Sequence, residues 1–422
     1  MEQTASSYIN PYHAAYRDLY EQAVIESSFL WILRNMALTQ PHYTVQDVRE
    51  LESRIDSHLD VLMTSLELGW EACESALELE EPGEIFTATV IAFRSREMTS
   101  IQKAVEVGLS NEECTKGLIS ALGWLPEHLV NPWIERFLAG KDKRHKFLGI
   151  AACSVRRHDP GEMLTNILQR DDCKEDTRLY SRSIRLIGEL QRKDLIPFLN
   201  MAVTSDDENI KFWAVWSSIL LGNKKAVKFL EPFILTEGPH HLRALSLAFR
   251  VLPIEHARSL ISKMSKNDKL NRSVIKAVGI LGDPHAVNWL ISRMKEKELA
   301  KLAGESFSMI TGLDLEQAQL SIEPPDQEIA IPSDDPDDEN ILMDEDENLP
   351  WPDMNKIAML WKQYGNNFSS AQRYFMGQPI LAEFLKNRIM NGYQRQRHAA
   401  ALELALLGMD SQLINTHAGS SS

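Results

Sequence analysis

Chemistry in this 422-residue chain has to come from 60 carboxylates, 12 histidines and 4 cysteines, and their spacing limits what they can do. Cys73, Cys114, Cys153 and Cys173 are widely separated and include no C-x-x-C pair. They fit neither a zinc site nor a disulfide framework and read as buried thiols of a reducing compartment. No two histidines stand at i, i+4, the spacing that sets a pair of imidazoles on one helix face for a metal. His240-His241 follows Gly238-Pro239 and reads as a surface turn rather than a ligand pair. The run Asp334–Glu339 could attract Ca²⁺ by charge, but it lacks the spaced ligands and central glycine of a calcium loop.

Catalytic motifs are equally sparse. Trp351-Pro352-Asp353 resembles the acid loop of tyrosine phosphatases, whose chemistry needs a cysteine and an arginine wrapped around a phosphate. Cys173 and Arg178 stand too close together for that, with no glycine between them, so the tripeptide reads as a linker end that caps the next helix. There is no G-x-S-x-G, no G-x-x-x-x-G-K-[ST] and no G-x-G-x-x-G after a strand. The sequence therefore assigns no catalytic, cofactor-binding or metal residue, and it reads as a non-enzyme without a cofactor. The competing reading is an enzyme on a helical-repeat scaffold, with Glu, Asp and Arg converging in one concave pocket.

Binding chemistry has better candidates. Aromatic and arginine side chains dominate interface hot spots, which singles out Trp213 and Trp216 together with Lys211 and Arg243. Arg373, Arg395, Arg397 and His398 make a second candidate patch. For the tryptophans the alternative is packing between helices. A row of basic residues (Arg144, Arg178, Arg182, Lys211, Arg243, Arg272 and Lys301) precedes or enters successive helices. These either satisfy carbonyls and carboxylates of neighbouring turns or form a ligand-binding ridge.

The elements that must position these residues are helices. In Arg272–Met294, Val274, Ala277, Val278 and Leu281 form an apolar stripe at i, i+3, i+4, i+7. Gly282 supplies a left-handed helix end, Asp283 a cap and Pro284 a first helical residue, so a second helix starts at once. The unit recurs at a period near thirty. Leu260–Met264 matches Leu290–Met294, Leu221-Gly222-Asn223 foreshadows Leu281-Gly282-Asp283, and Gly312 closes another copy. Helix pairs at a fixed period cannot bury their stripes alone and must stack, the mark of an α-solenoid. The expected fold is all-α. Residues 1–110 form an irregular helical region, 111–312 a solenoid of antiparallel helix pairs, 313–353 an acidic linker and 354–422 a C-terminal helical segment. In the first region, Pro11–Met36 shows a stripe through Tyr16, Leu19, Ala23, Phe29 and Leu33, and Thr44 can cap the helix that follows.

The net charge of −15 belongs to one segment. From Glu305 to Asp353 there are sixteen Asp and Glu and no Lys or Arg, which leaves the remaining chain at −15 + 16 = +1. A near-neutral body gives little reason to expect nucleic acid as a partner. The acidic, proline-rich segment reads as a disordered linker with two apolar islands, Ile329-Ala330-Ile331 and Ile341-Leu342-Met343, and deleting Glu323–Glu347 is expected to leave the fold intact. The amino terminus shows no secretory signal and no segment is apolar enough to span a bilayer, so a cytoplasmic protein is expected.

The repeats at Leu260–Met294 resemble HEAT-like repeats. Four further segments narrow the resemblance: Arg54–Leu62, Gly83–Phe86, Arg373–Gly377 and Gly392–Ala405, the last reading GYQRQRHAAALELA. In these segments and their order the chain resembles a family of uncharacterised proteobacterial proteins that often accompany type VI secretion genes. The resemblance implies a bacterial accessory protein that binds a protein partner, such as an effector or a component of the secretion machine, as adaptor, chaperone or immunity protein. It brings no catalytic residues, and the acidic segment is where this chain looks least typical.

Overall fold

The turn that the sequence marks most strongly forms as its chemistry dictates. In the computed structural model, helix Asn271–Leu281 ends at Gly282, whose φ of +70° is the left-handed conformation that favours glycine. The Asp283 carboxylate accepts a hydrogen bond from the His285 amide, and Pro284 opens the short 3-10 turn leading into helix Val287–Arg293. Glycine is required here for a second reason. A Cβ on Gly282 would lie 2.0 Å from the Tyr374 carbonyl oxygen, and the Tyr374 amide donates to the Gly282 carbonyl at 2.7 Å.

The structure describes residues 11–324, 345–408 and 412–419, with side chains from residue 16 onward. Among them are 22 α-helices and four two-residue strands, so the chain is all-α. It divides into two compact units, one built from residues 1–39, 43–190 and 415–422, the other from 40–42 and 191–414. The division falls inside the stretch that sequence periodicity treats as one run of repeats.

In the first unit, helix Pro82–Ser95 is buried along nearly its whole length, with Ile85, Phe86, Ala88, Val90, Ile91 and Phe93 all inside. Helices Pro11–Ala37, Leu66–Ala76 and Glu112–Trp124 pack around it. Thr44 caps Val45–Met63 in a full capping box with Asp47, as its position before an apolar-periodic run predicts. Further along, Lys143–Arg156 packs against both Glu127–Ala139 and Thr177–Glu189.

In the second unit the first helices of successive pairs lie on one another: His241–Val251 on Asn271–Leu281, and that helix on Lys297–Thr311. This order of packing is consistent with stacked helix pairs. Leu281 is buried, and Ile275, Val278, Leu290, Leu302 and Phe307 share one apolar core with Ile357 and Trp361 from helix Met354–Tyr364. The last helix, Gln394–Leu406, returns to pack on Glu208–Leu220 and His241–Val251. Helix Met354–Tyr364 therefore shares the repeat core, while Phe375, Leu385, Ile389, Ala400 and Leu404 form a second cluster in the same unit. A small hairpin, Tyr374–Phe375 paired with Gln378–Pro379, lies across the ends of two first helices. Its Met376 and Gly377 amides donate to the Met309 and Ile310 carbonyls at 2.6 and 2.9 Å, just as its Tyr374 amide bonds Gly282.

The described ends of the acidic segment correct the expectation of a simple linker. Ser321–Ile322 pairs antiparallel with Trp351–Pro352, Asp353 caps helix Met354–Tyr364, and Leu315, Leu320 and Leu349 are buried. Glu345 pairs with Lys276 at 3.1 Å, and the buried Asp346 pairs with Arg272 at 2.9 Å. Residues 325–344, with both apolar islands and the run Asp334–Glu339, lie outside the described residues. A cut of Glu323–Glu347 removes the paired side chains of Glu345 and Asp346 and is expected to lower stability. Asp346→Ala alone is expected to destabilise the protein by about 1–3 kcal/mol, because it leaves Arg272 facing an emptied polar site. A urea midpoint equal to that of the unaltered protein would show that these residues only rest on the surface.

Candidate protein-contact surface

The residues that the sequence nominates for binding are mostly engaged inside the second unit. Trp213 and Trp216 are both buried, on helix Glu208–Leu220, with their rings 5.4 Å apart in an edge-to-face arrangement. His240 is half-buried, stacks on Phe212 at 4.1 Å and meets Trp213 and Phe233 edge-on, while Gly238 and Pro239 before it are exposed. Burial, with a smaller contribution from Arg243, lowers the proton affinity of His240. His241 is buried too, with one ring nitrogen 2.7 Å from the Ser273 hydroxyl and the other 3.0 Å from the Phe233 carbonyl oxygen. The turn is at the surface as expected, but the His240 and His241 rings fold back from it into the packing between helices. Arg243 lies over Trp213 at 5.8 Å and Lys211 is half-buried beside this cluster on the same helix as Trp213.

Arg373, Arg395, Arg397 and His398 do not share one task. Arg373 donates to the Leu281 and Arg250 carbonyls at 2.8 and 2.7 Å and to Glu403 at 2.5 Å. Glu403 and Arg250 are both buried, and burial, only partly offset by Glu403, pushes the Arg250 guanidinium down to about 10. Arg395 clamps Glu305 at 2.9 and 3.0 Å and donates to the Glu345 carbonyl at 2.9 Å. Arg397 donates to the Ile389 carbonyl at 2.8 Å, and His398 is half-buried on the same helix. Arg373 and Arg395 thus fasten the C-terminal segment to the helix stack, whereas Arg397 bonds within that segment. The row of basic residues follows the same pattern: Arg144 pairs with Asp142, Arg178 lies over Phe147, Arg272 reaches Asp346 and Lys301 donates to the Glu347 carbonyl.

All four cysteines are free thiols, buried as the sequence suggests. Burial pushes the Cys153 thiol up to about 12 and raises Cys73 as well, which removes both from nucleophilic chemistry at neutral pH. Among the described residues, no group of three His, Cys, Asp or Glu side chains could hold a metal ion, and no helix is long and apolar enough to cross a membrane.

The surface most suited to a partner lies where the sequence placed core. Of the stripe Tyr16, Leu19, Ala23, Phe29 and Leu33, Ala23 is buried and Leu33 half-buried, whereas Tyr16, Leu19 and Phe29 are exposed. Beside Ala23, helix Pro11–Ala37 turns Tyr20, Val24, Leu30 and Trp31 to the interior. On its outer face, Ile25, Phe29, Ile32 and Met36 stand at i, i+4, i+7, i+11 and are 57%, 58%, 40% and 39% exposed. That is the alternating three-and-four spacing of a helix seam. The patch amounts to a few hundred Å² of apolar surface, a size often tied to function. Towards the amino end the same seam continues as Asp18 and Gln22, flanked by Glu21 and Glu26. Arg17 is drawn into pairs with Glu21 and Glu71, which leaves this end of the face acidic. The sequence does carry the signal: the helix is apolar on both sides, and only packing reveals which side is the seam.

No protein-family model matches the chain, and no curated protein or solved structure matches it either.

Proposed function

We propose that the protein is a non-enzymatic scaffold that holds a protein partner, with the outer face of helix Pro11–Ala37 as its contact surface. The observation that carries this reading is the exposed seam of Ile25, Phe29, Ile32 and Met36 on a helix whose opposite face is already in the core. Water contact with such a seam is unfavourable at roughly 25 cal/mol per Å², and a partner helix laid along it removes that cost. The acidic residues at its amino end select an amphipathic helix with basic residues at the matching positions, and they disfavour a second copy of the same acidic face. Buried ionisable groups elsewhere support a structural reading: Arg34 with Glu52, Arg258 with Asp283 and Arg250 with Glu403 are ion pairs joining helices.

The resemblance to proteins that accompany type VI secretion genes points to a bacterial, cytoplasmic setting and to an effector or machine component as the partner. The test is to co-express the full chain with each type VI component of its host and follow co-elution. One component should elute with the unaltered protein and separate from the Phe29→Glu variant, whose exposed side chain can change without harm to folding. Failure of every component to co-elute would overturn the proposal, and so would co-elution that Phe29→Glu leaves intact. A concentration-dependent dimer abolished by Phe29→Glu would reassign the seam to a second copy of the chain.

A further inference from the structure

Elsewhere in the first unit, parts of three helices line one recess of about 340 Å³. Helix Pro82–Ser95 closes at Arg96 in a left-handed conformation, φ 62°, and Met98 opens the next helix, Met98–Gly108. Helix Glu127–Ala139 supplies Leu129, Trp133 and Arg136. Much of the lining is apolar: Phe93 and Ile101 are buried, Leu129 and Trp133 are half-buried, and Met98 is 55% exposed. Trp133 packs against Phe93 and Phe137, with ring centroids 5.6 and 5.8 Å away, and the Arg136 guanidinium lies over it at 4.9 Å. Arg96 and Arg136 are exposed, and among the described residues neither pairs with a carboxylate. No Asp or Glu lines the recess. Glu97, next to Arg96, lines a separate recess with Glu67 and Trp70.

We propose that this recess binds a small amphiphilic anion, a carboxylate or phosphate on a compact apolar body, with Arg96 and Arg136 holding the charged group. Neither guanidinium has a carboxylate of its own, so the anion has none to displace. A planar fork serves two oxygens of such a group at once. The start of helix Met98–Gly108 adds to the preference for an anion, because Glu97 makes no side-chain bond to the first amides and the helix end is positive. The rest of the lining calls for the apolar body. Met98, Leu129 and Trp133 offer carbon surface that an inorganic ion would leave wet. An uncharged apolar molecule would crowd two guanidiniums without pairing them. A mainly apolar lining with a few placed polar groups is the make-up of small-molecule sites, and the volume lies at the small end of their range, roughly 300–1,000 Å³. The recess shares no residue with the helix seam.

Calorimetric titration of the full chain with phenyl phosphate and with hexanoate, at fixed ionic strength, tests the site. At least one of them should bind once per chain, about tenfold more tightly than inorganic phosphate or acetate, which carry the charged group without the body. Arg96→Gln and Arg136→Gln change exposed side chains, so the thermal midpoint should stay where it is. Each should weaken binding by about tenfold, the loss of one charged hydrogen bond. Met98→Glu, which sets a carboxylate in the apolar wall at a helix start that tolerates it, should abolish binding. Phe29→Glu should leave binding unchanged, so this inference and the scaffold reading fail separately. The proposal is overturned if neither probe gives heat at millimolar concentration, or if inorganic phosphate and acetate bind as tightly as the probes. It is equally overturned if both arginine variants bind as the unaltered protein does.

Discussion

Glu189→Ala is expected to lower the stability of the first unit by about 3–5 kcal/mol, the cost of stranding a buried charge by removing its partner. The side chain is completely buried at the end of helix Thr177–Glu189, and its loss removes the carboxylate that Arg157 and Arg185 pair with. For a unit of this size the thermal midpoint should fall by about 6–20 °C, at roughly 2–4 °C per kcal/mol. The same carboxylate predicts a pH dependence. Burial alone raises its pKa, but Arg185, Arg157, Arg182 and the Ser154 hydroxyl outweigh burial and hold it below the ordinary value of 4.5. A depressed carboxylate stabilises the fold above 4.5, and that contribution is lost as pH falls through the lower folded value. The unaltered protein should therefore lose stability below pH 4.5 in a step that Glu189→Gln lacks. Denaturation midpoints for both proteins between pH 7 and 3 measure this, and parallel curves would show that the carboxylate is not held by the arginines.

Arg373→Ala is expected to destabilise the second unit by about 3 kcal/mol or more. It removes charged hydrogen bonds to Leu281, Arg250 and Glu403, each worth about 1.5–3 kcal/mol, and leaves carbonyls at two helix ends without donors. Arg373→Lys should recover less than half, because a point charge cannot reach three acceptors that a planar fork serves together. Urea unfolding of the three proteins checks both statements. A contact residue for a partner would behave in the opposite way, with binding weakened and the midpoint unmoved.

The contrast between Arg373 and Gly282 shows what the sequence could reveal. Gly282-Asp283-Pro284 carries its structure locally, since a left-handed helix end, a cap and a first helical proline each follow from residue type alone. Thr44 with Asp47 is legible for the same reason. Arg373 is not, because the groups that decide its role, the Leu281 and Arg250 carbonyls, lie 92 and 123 residues away. An arginine ahead of an aromatic pair reads as a contact residue until its acceptors are in place. Phe29 failed differently. Its helix repeats apolar residues on two faces, and periodicity establishes that a stripe exists without saying which stripe is wet.

The hairpin around Phe375 gives the second unit a character unlike that of a simple tandem array. Members of such an array touch only their neighbours, so they can melt one by one and can begin to form while synthesis continues. Here the Tyr374 amide is bonded to Gly282, and the Met376 and Gly377 amides to Met309 and Ile310, so a late segment rivets two earlier members together. The chain up to residue 312 emerges from the ribosome with those helix ends still open. Completion waits for residues 373–406, and the finished unit should come apart in a single step rather than by fraying from one end.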